Sequence, residues 1–597
     1  MNAMLLLIIA AVVLACGYVF YGKWLADQWG IDAGRRTPAH ELADGVDYVA
    51  APPYVVLGHH FSSIVGAGPI NGPIQAAIFG WVPVTLWVLI GGIFFGAMHD
   101  FGSLFASLRH KGQTLAIVVR DNMDGTAKTL FTIFAYLTLV LIVAAFASIV
   151  AGTFGVTGDV QADERNMTTA SVSVFYILAA ILWGLAFRGR KLSGASHISL
   201  AIVVLVLCIM AGMSFHPIAL TPNQWIAVLA VYILVASLAP VWVLLQPRDY
   251  LSSYLLYGLI VVAFIGIIGA GLEGKAGLEI PAFTGFSLSN IAIDASGSPI
   301  MDADGNPVIN NAATSGYLFP ALFITVACGA ISGFHSIVAS GTTSKQIDTE
   351  AHAKPIGFGG MLLECLVAII SLCAVGFAWS QYRAGSFAAP TQVFASGLSN
   401  VLASVFGAQA QDISYQLLIL AVSAFCLTSL DTATRLARYM FQELWIPVGE
   451  SLDTLTGWRK VLANPYVATI ITVAFGIYLS MTGYTIIWPL FGAANQLLAG
   501  LALLAVATWL KNTGRNCKMF YFPMAFMLLV TLTSLTITIV QKTGVLMSGD
   551  MSAQPGGFMG VVVQLVIAVL LFVLAIVLTV RGVKTLRENP HVHDVAA

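Results

Sequence analysis

Long apolar runs recur along the chain from residue 4 to residue 580, separated by short polar stretches. A helix needs about 20 apolar residues to cross the hydrocarbon core of a bilayer. Runs of that length predict fifteen membrane-spanning segments, near 4–22, 61–79, 81–105, 129–152, 171–187, 197–215, 225–245, 252–271, 317–341, 357–379, 412–432, 463–482, 484–509, 520–541 and 557–580. If successive loops alternate sides, one side holds all 27 Lys and Arg except Arg165, Lys275, Arg383 and Lys542. The positive-inside rule makes that side cytoplasmic, with the N-terminus outside and the C-terminus inside. The predicted fold class is an all-α polytopic membrane protein, with the lipid bilayer as its first partner.

Two of these segments are alike. Phe61-Ser62-Ser63-Ile64-Val65-Gly66-Ala67-Gly68 returns 273 positions later as Phe334-His335-Ser336-Ile337-Val338-Ala339-Ser340-Gly341. The first copy belongs to the second segment and the later copy to the ninth, so the alternation runs them in opposite directions. Glycine-interrupted spans at matching positions of two inverted halves point to the binding site of a secondary transporter.

Composition agrees: 58% of residues are hydrophobic and 9% charged, against about 25% charged in a soluble domain. A net charge of −1 without a basic run gives no reason to expect nucleic acid. The seven cysteines are scattered with no CxxC, and no metal site, cofactor or disulfide is expected. Residues 1–4 lack the positive charge of a signal peptide, so the first segment is read as an uncleaved span. The acidic, Gly-rich stretch 272–316 reads as a solvated outer loop, with Asp302 in a turn rather than a calcium site. Neither HExxH nor GxSxG occurs, and no enzyme is expected.

Candidate chemistry gathers where the helices break. Gly66 and Gly68 permit unwinding, and Pro69 suits the first position of a new half-helix. Its N–H groups, near Ile70, Asn71 and Gly72, would favour an anion, and the carbonyls of Val65 to Ala67 a cation. The expected substrate contacts are Ser63, Gly66, Gly68, Pro69, Asn71, His335, Ser336, Ser340, Asn495 and Gln496. For Asn495 and Gln496, interhelical hydrogen bonding weighs equally. His59 and His60, read at the cytoplasmic mouth, are candidates for gating or proton coupling. His335 and Glu364 are the first candidates for the coupling proton, because a carboxylate within a span usually faces a partner or a pathway. Asp431 with Arg435 at i+4 reads as a helix-surface ion pair, or with Thr428 and Ser429 as a Na⁺ site. His99-Asp100 and Arg109-His110-Lys111 read as a helix end and its topology signal.

The run Gly58-His59-His60-Phe61 through Gly66-Ala67-Gly68-Pro69-Ile70 and Gly72-Pro73 resembles the signature of the carbon starvation protein A family. Thr428 to Arg435 and Phe491 to Gln496 resemble two more of its motifs, in order and over nearly the whole chain. The resemblance implies a bacterial inner-membrane secondary transporter with a LeuT-like core of five plus five helices. It implies uptake of pyruvate with protons, or alternatively of peptides, under nutrient limitation. On this scheme 1–60 is an N-terminal helix and loop, 61–215 the first repeat and 216–271 an extra helix pair. An outer loop (272–316), the second repeat (317–509) and C-terminal helices with a short tail (510–597) follow. If the extra pair belongs to the repeat, a seven-plus-seven fold is the alternative. H⁺ is the expected coupling ion and Na⁺ the alternative. A nutrient sensor on a transporter scaffold is the reading from another class. The sequence assigns no oligomeric state.

Overall fold

The computed structural model describes residues 2–45, 47–187, 194–240, 243–294, 296–447, 452, 454–481, 483–549 and 557–588. The basic loop at 188–193 and the last residues of the tail, 589–597, lie outside these. Among the described residues, sixteen main helices build the body. They are α1 (Ala3–Trp29), the broken α2 (Pro53–Val65 and Gly68–Ala76), α3 (Trp81–Arg109), α4 (Gly125–Phe154), α5 (Val160–Phe187), α6 (Gly194–Ser214), α7 (Pro222–Leu238) and α8 (Leu245–Leu272). Then come the broken α9 (Leu318–Thr325 and Gly333–Gly341), α10 (Gly359–Phe377), α11 (Pro390–Phe406), α12 (Gln409–Trp445), α13 (Pro465–Ser480), α14 (Tyr484–Asn512), α15 (Tyr521–Ser548) and α16 (Gly557–Arg587).

Ten helices among the described residues are long and apolar enough to cross a membrane. The shorter apolar helices α6, α7 and α13 and the two broken helices fall on the remaining predicted segments. The protein is an all-α polytopic membrane protein. Helix α11 was not expected. Its sequence mixes Ser, Asn and Gln with apolar residues, so hydropathy passes over it.

Local chemistry sets several helix ends. Asp124 caps α4 by accepting the Ala127 amide at 2.8 Å, and Thr221 and Gln224 form a reciprocal capping box at the start of α7. In the loop 272–316, Asp302 accepts the amides of Asp304 and Asn306, a turn as expected, and Ser287–Leu288 pairs antiparallel with Gly316–Tyr317.

Helices α4 and α12 pack along each other at the centre. The broken helices lie on either side with related surroundings. The C-terminal half of α2 packs on α10, and the C-terminal half of α9 packs on α3. Helix α8 lies against the N-terminal half of α2, and α14 against the C-terminal half of α9. Helix α6, by contrast, packs chiefly on α5 and turns Leu207, Met210 and Met213 outward. Helices α7 and α8 pack against α4, α12 and the N-terminal half of α2.

Candidate functional site

The break in α2 falls where glycine is required. Gly66 has φ +42° and ψ −149°, and a Cβ there would meet Phe146 at 2.8 Å and Ser429 Oγ at 3.0 Å. The chain resumes helix at Gly68. Contrary to expectation, the amides of Ile70 and Asn71 do not project into the gap, because both donate to the Ala67 carbonyl (3.2 and 2.8 Å). The second half-helix is capped by its own backbone.

The break in α9 is held from outside by two neighbouring amides on α14. Asn495 Oδ1 accepts the Phe334 amide at 2.8 Å at the start of the second half. Gln496 donates to the Phe323 carbonyl at 3.0 Å near the end of the first. One residue satisfies an orphan N–H and the next an orphan C=O. Both side chains thus hydrogen-bond from α14 to the broken α9.

The two breaks face each other closely. A Cβ on Gly68 would lie 2.4 Å from Cys328 Cβ, and one on Gly72 would lie 2.5 Å from the Thr325 carbonyl oxygen. Beside them is a cavity of about 10 Å³, lined by Gly68, Thr325, Cys328, Trp488, Phe491 and Gly492 among others. That is room for about one water, so the site is closed.

Against the breaks lies a buried chain of acids and imidazoles. His335 on α9 places Nδ1 2.8 Å from Asp100 Oδ2, and His99 Nδ1 lies 2.7 Å from Asp100 Oδ1. On its other side, His335 Nε2 lies 3.2 Å from Glu364 Oε2 of α10. All four side chains are fully buried, and neither Glu364 oxygen has a hydrogen-bond partner among the described residues. Two carboxylates and two imidazoles are neutral together only when two protons beyond those of neutral imidazoles are bound. Burial makes unbalanced charge costly, which favours the state with those two protons bound. Cys328 Sγ, His335 and Glu364 also bring ligand atoms within 4.8 Å of one another, a spacing a soft cation would accept. His99 and Asp100, expected at a helix end, are instead central, because α3 continues to Arg109.

A second buried network lies on the other side of α2. Arg248 of α8 bonds Asp249 at 3.0 Å and Asp431 of α12, and Tyr232 of α7 donates to Asp431 at 2.6 Å. His59 Nδ1 reaches Asp249 Oδ2 at 2.8 Å. The expected pairing of Asp431 with Arg435 does not form. Arg435 instead donates to the carbonyls of Ala236 and Ala239 at the end of α7. Sequence reasoning left Arg248 in a loop. The dipeptide Arg248-Asp249 lies between two apolar runs and is a charge pair that α8 carries inside.

The remaining candidates divide. His59 and His60 are 1% and 0% exposed, not at a mouth, because α2 starts at Pro53. His60 Nδ1 lies 2.9 Å from Thr343 Oγ1. Ser429 donates to the Ser63 carbonyl at 3.1 Å, and Thr428 to Ala424 of its own helix. Ser336 and Ser340 likewise donate back along α9. Ser63 Oγ is buried without a hydrogen-bond partner among the described residues, and Pro69 and Asn71 are buried at the start of the second half of α2.

The sequence profile of carbon starvation protein CstA matches residues 2–385 and 378–534. The peptide transporter CstA of Escherichia coli K12 is 32% identical over 600 residues, covering 89% of this chain and 80% of that protein. The peptide transporter CstA of Bacillus subtilis 168 is 32% identical over 553 residues, covering 85% of each. The pyruvate/proton symporter BtsT of Escherichia coli K12 is 30% identical over 584 residues, covering 84% of this chain and 76% of its own. Among solved structures, the Eremococcus coleocola manganese transporter aligns with 91% of this chain and 99% of its own at TM-score 0.49 and 12% identity. MhsT in complex with L-phenylalanine aligns with 89% of this chain and 99% of its own at TM-score 0.45 and 12% identity. Both broken helices and both buried networks lie within the matched residues, and the chain belongs to the carbon starvation protein CstA family.

Proposed function

We propose that this chain takes up a small carboxylate, pyruvate first, by proton symport across a bacterial inner membrane. The observation that carries the reading is His335, held between Asp100 and Glu364 beside two facing helix breaks. A monoanion entering with one proton adds no net charge to the buried site. The residues proposed to meet the substrate are Ser63, Gly66, Gly68, Pro69, Asn71 and Cys328, with Asn495 and Gln496 holding the opposite break open. The tight approach of the breaks supports a substrate of few atoms.

Protons are favoured over Na⁺ by Arg248. Its guanidinium already neutralises Asp431, the one acid in the Thr428–Asp431 motif. The bound cation is part of the protein. We assign the basic side to the cytoplasm, with the N-terminus outside and the C-terminus inside. In the repeat, we place α8 opposite α14 and leave α5 and α6 as the added pair.

Peptide uptake is the second reading, favoured by the names of several relatives and by two carboxylates able to receive an ammonium group. Uptake of labelled pyruvate into proteoliposomes separates the two. Accumulation driven by an inward proton gradient, independent of Na⁺ and not competed by dipeptide, is the expected result. Competition by dipeptide moves the substrate to peptides. No accumulation under either gradient, from folded protein, overturns the transport reading in favour of a sensor.

A further inference from the structure

A second, larger cavity opens far from the breaks, on the side of the molecule whose loops are basic. It measures about 440 Å³, within the range of small-molecule sites. The end of α3, the short helix Leu115–Asn122 and the end of α14 enclose it. Its lining includes Arg109, Lys111 and Arg120 against a single carboxylate, Asp121, with Asn512 and Trp509 closing one wall.

The three cations are held differently. Arg109 is committed to Glu350 by two bonds of 2.6 and 2.7 Å, and Arg120 gives Nε to Asp121 at 2.7 Å. Lys111 has no ion-pair partner among the described residues. Its backbone has φ +58°, the only positive φ of a non-glycine residue among them. Such conformations persist where the surroundings impose them, and they cluster at functional sites. Here Tyr48 donates to the Lys111 carbonyl at 3.1 Å, and Gly112 follows at φ +69°. Lys111 and Arg120 line the same cavity.

The geometry suits a tetrahedral oxyanion better than a carboxylate. Cations from a loop and from a separate helix approach from different directions, which several phosphate oxygens satisfy and one planar carboxylate does not. We propose that this cavity binds a phosphate group, supplied either by the headgroup of an anionic phospholipid or by a soluble phosphate. The site is wired to the transport core. The Leu115 amide donates to Ser340 Oγ at 3.3 Å, and Ser107 Oγ lies 2.7 Å from the Gln113 carbonyl and 2.9 Å from Ser344 Oγ. An occupant therefore steadies the loop on which the C-terminal half of α9 rests.

The test uses the full-length protein in detergent with two probes, inorganic phosphate and phosphatidylglycerol. Thermal shift reads the first and native mass spectrometry the second. At least one probe binds saturably to the wild type, and the Lys111→Gln/Arg120→Gln double variant weakens that binding at least tenfold. The Lys111→Arg/Arg120→Lys variant keeps it, which separates lost charge from lost folding. Phosphate without lipid assigns a soluble ligand, and lipid without phosphate assigns a headgroup. Binding of neither probe, or binding indifferent to the double variant, overturns the proposal.

Discussion

Glu364 approaches His335 at 3.2 Å and has no other polar partner among the described residues, so one proton is the natural bridge between them. Replacing Glu364 with Gln keeps the shape and removes the charge change. Proton-driven accumulation should fall by at least tenfold while substrate exchange without a gradient survives. Equal loss of both would make Glu364 a structural residue. Arg248 leads to a different prediction. Removing one partner of a buried ion pair costs about 3–5 kcal/mol, because the other charge stays behind. Arg248→Ala alone should lower the melting temperature sharply, and adding Asp431→Asn should recover part of it. Additive losses would show that the pair is not coupled. His335 and Glu364 were legible in the sequence because titratable groups inside apolar runs are rare. Arg248 was not, because a charge between two apolar runs reads as a loop until a partner on another helix is known.

Among the elements, the breaks are the most demanding. A Cβ on Gly72 would lie 2.5 Å from the Thr325 carbonyl, and one on Gly333 would lie 2.4 Å from the Asn495 carbonyl oxygen. Backbone cannot step aside as a side chain does. Gly72→Ala and Gly333→Ala should each destabilise by roughly 1–3 kcal/mol, read as a lower melting temperature. An unchanged melting temperature in both would mean that the breaks are not packed against their neighbours as described. A helix lies at every segment that hydropathy predicts, and the glycines Gly66 and Gly68 with Pro69 marked the first break. Hydropathy failed at polar helix ends. Helix α2 begins at Pro53 rather than 61, because inward-facing His59 and His60 look like loop residues when only polarity is counted, and α3 runs on to Arg109 rather than 105.

At the scale of the whole molecule, the basic side is stitched shut around the segment that follows α9. Arg109 grips Glu350, which also accepts the Asp32 amide at 2.7 Å, and Thr37 donates to the Asp348 carbonyl at 3.1 Å. Opening toward this side must break these bonds together. Glu350→Gln keeps the hydrogen-bonding shape but removes the charge that holds Arg109. Under a thiol reagent applied from the basic side, buried Cys328 should label faster in this variant than in the wild type. An unchanged rate would place the opening elsewhere. None of this stitching was legible in the sequence, since it joins residues more than 200 positions apart in loops without hydrophobic pattern.

Consecutive residues on a helix point about 100° apart, and α2 uses that offset. His59 is fastened to Asp249 on one flank, and His60 to Thr343 on the next. A rod pinned on two adjoining flanks cannot roll about its axis without tearing out both pins. Its one break in helical geometry is at its end, at Gly66. The N-terminal half of α2 is thus held against turning by two neighbouring histidines that grip different helices and loops.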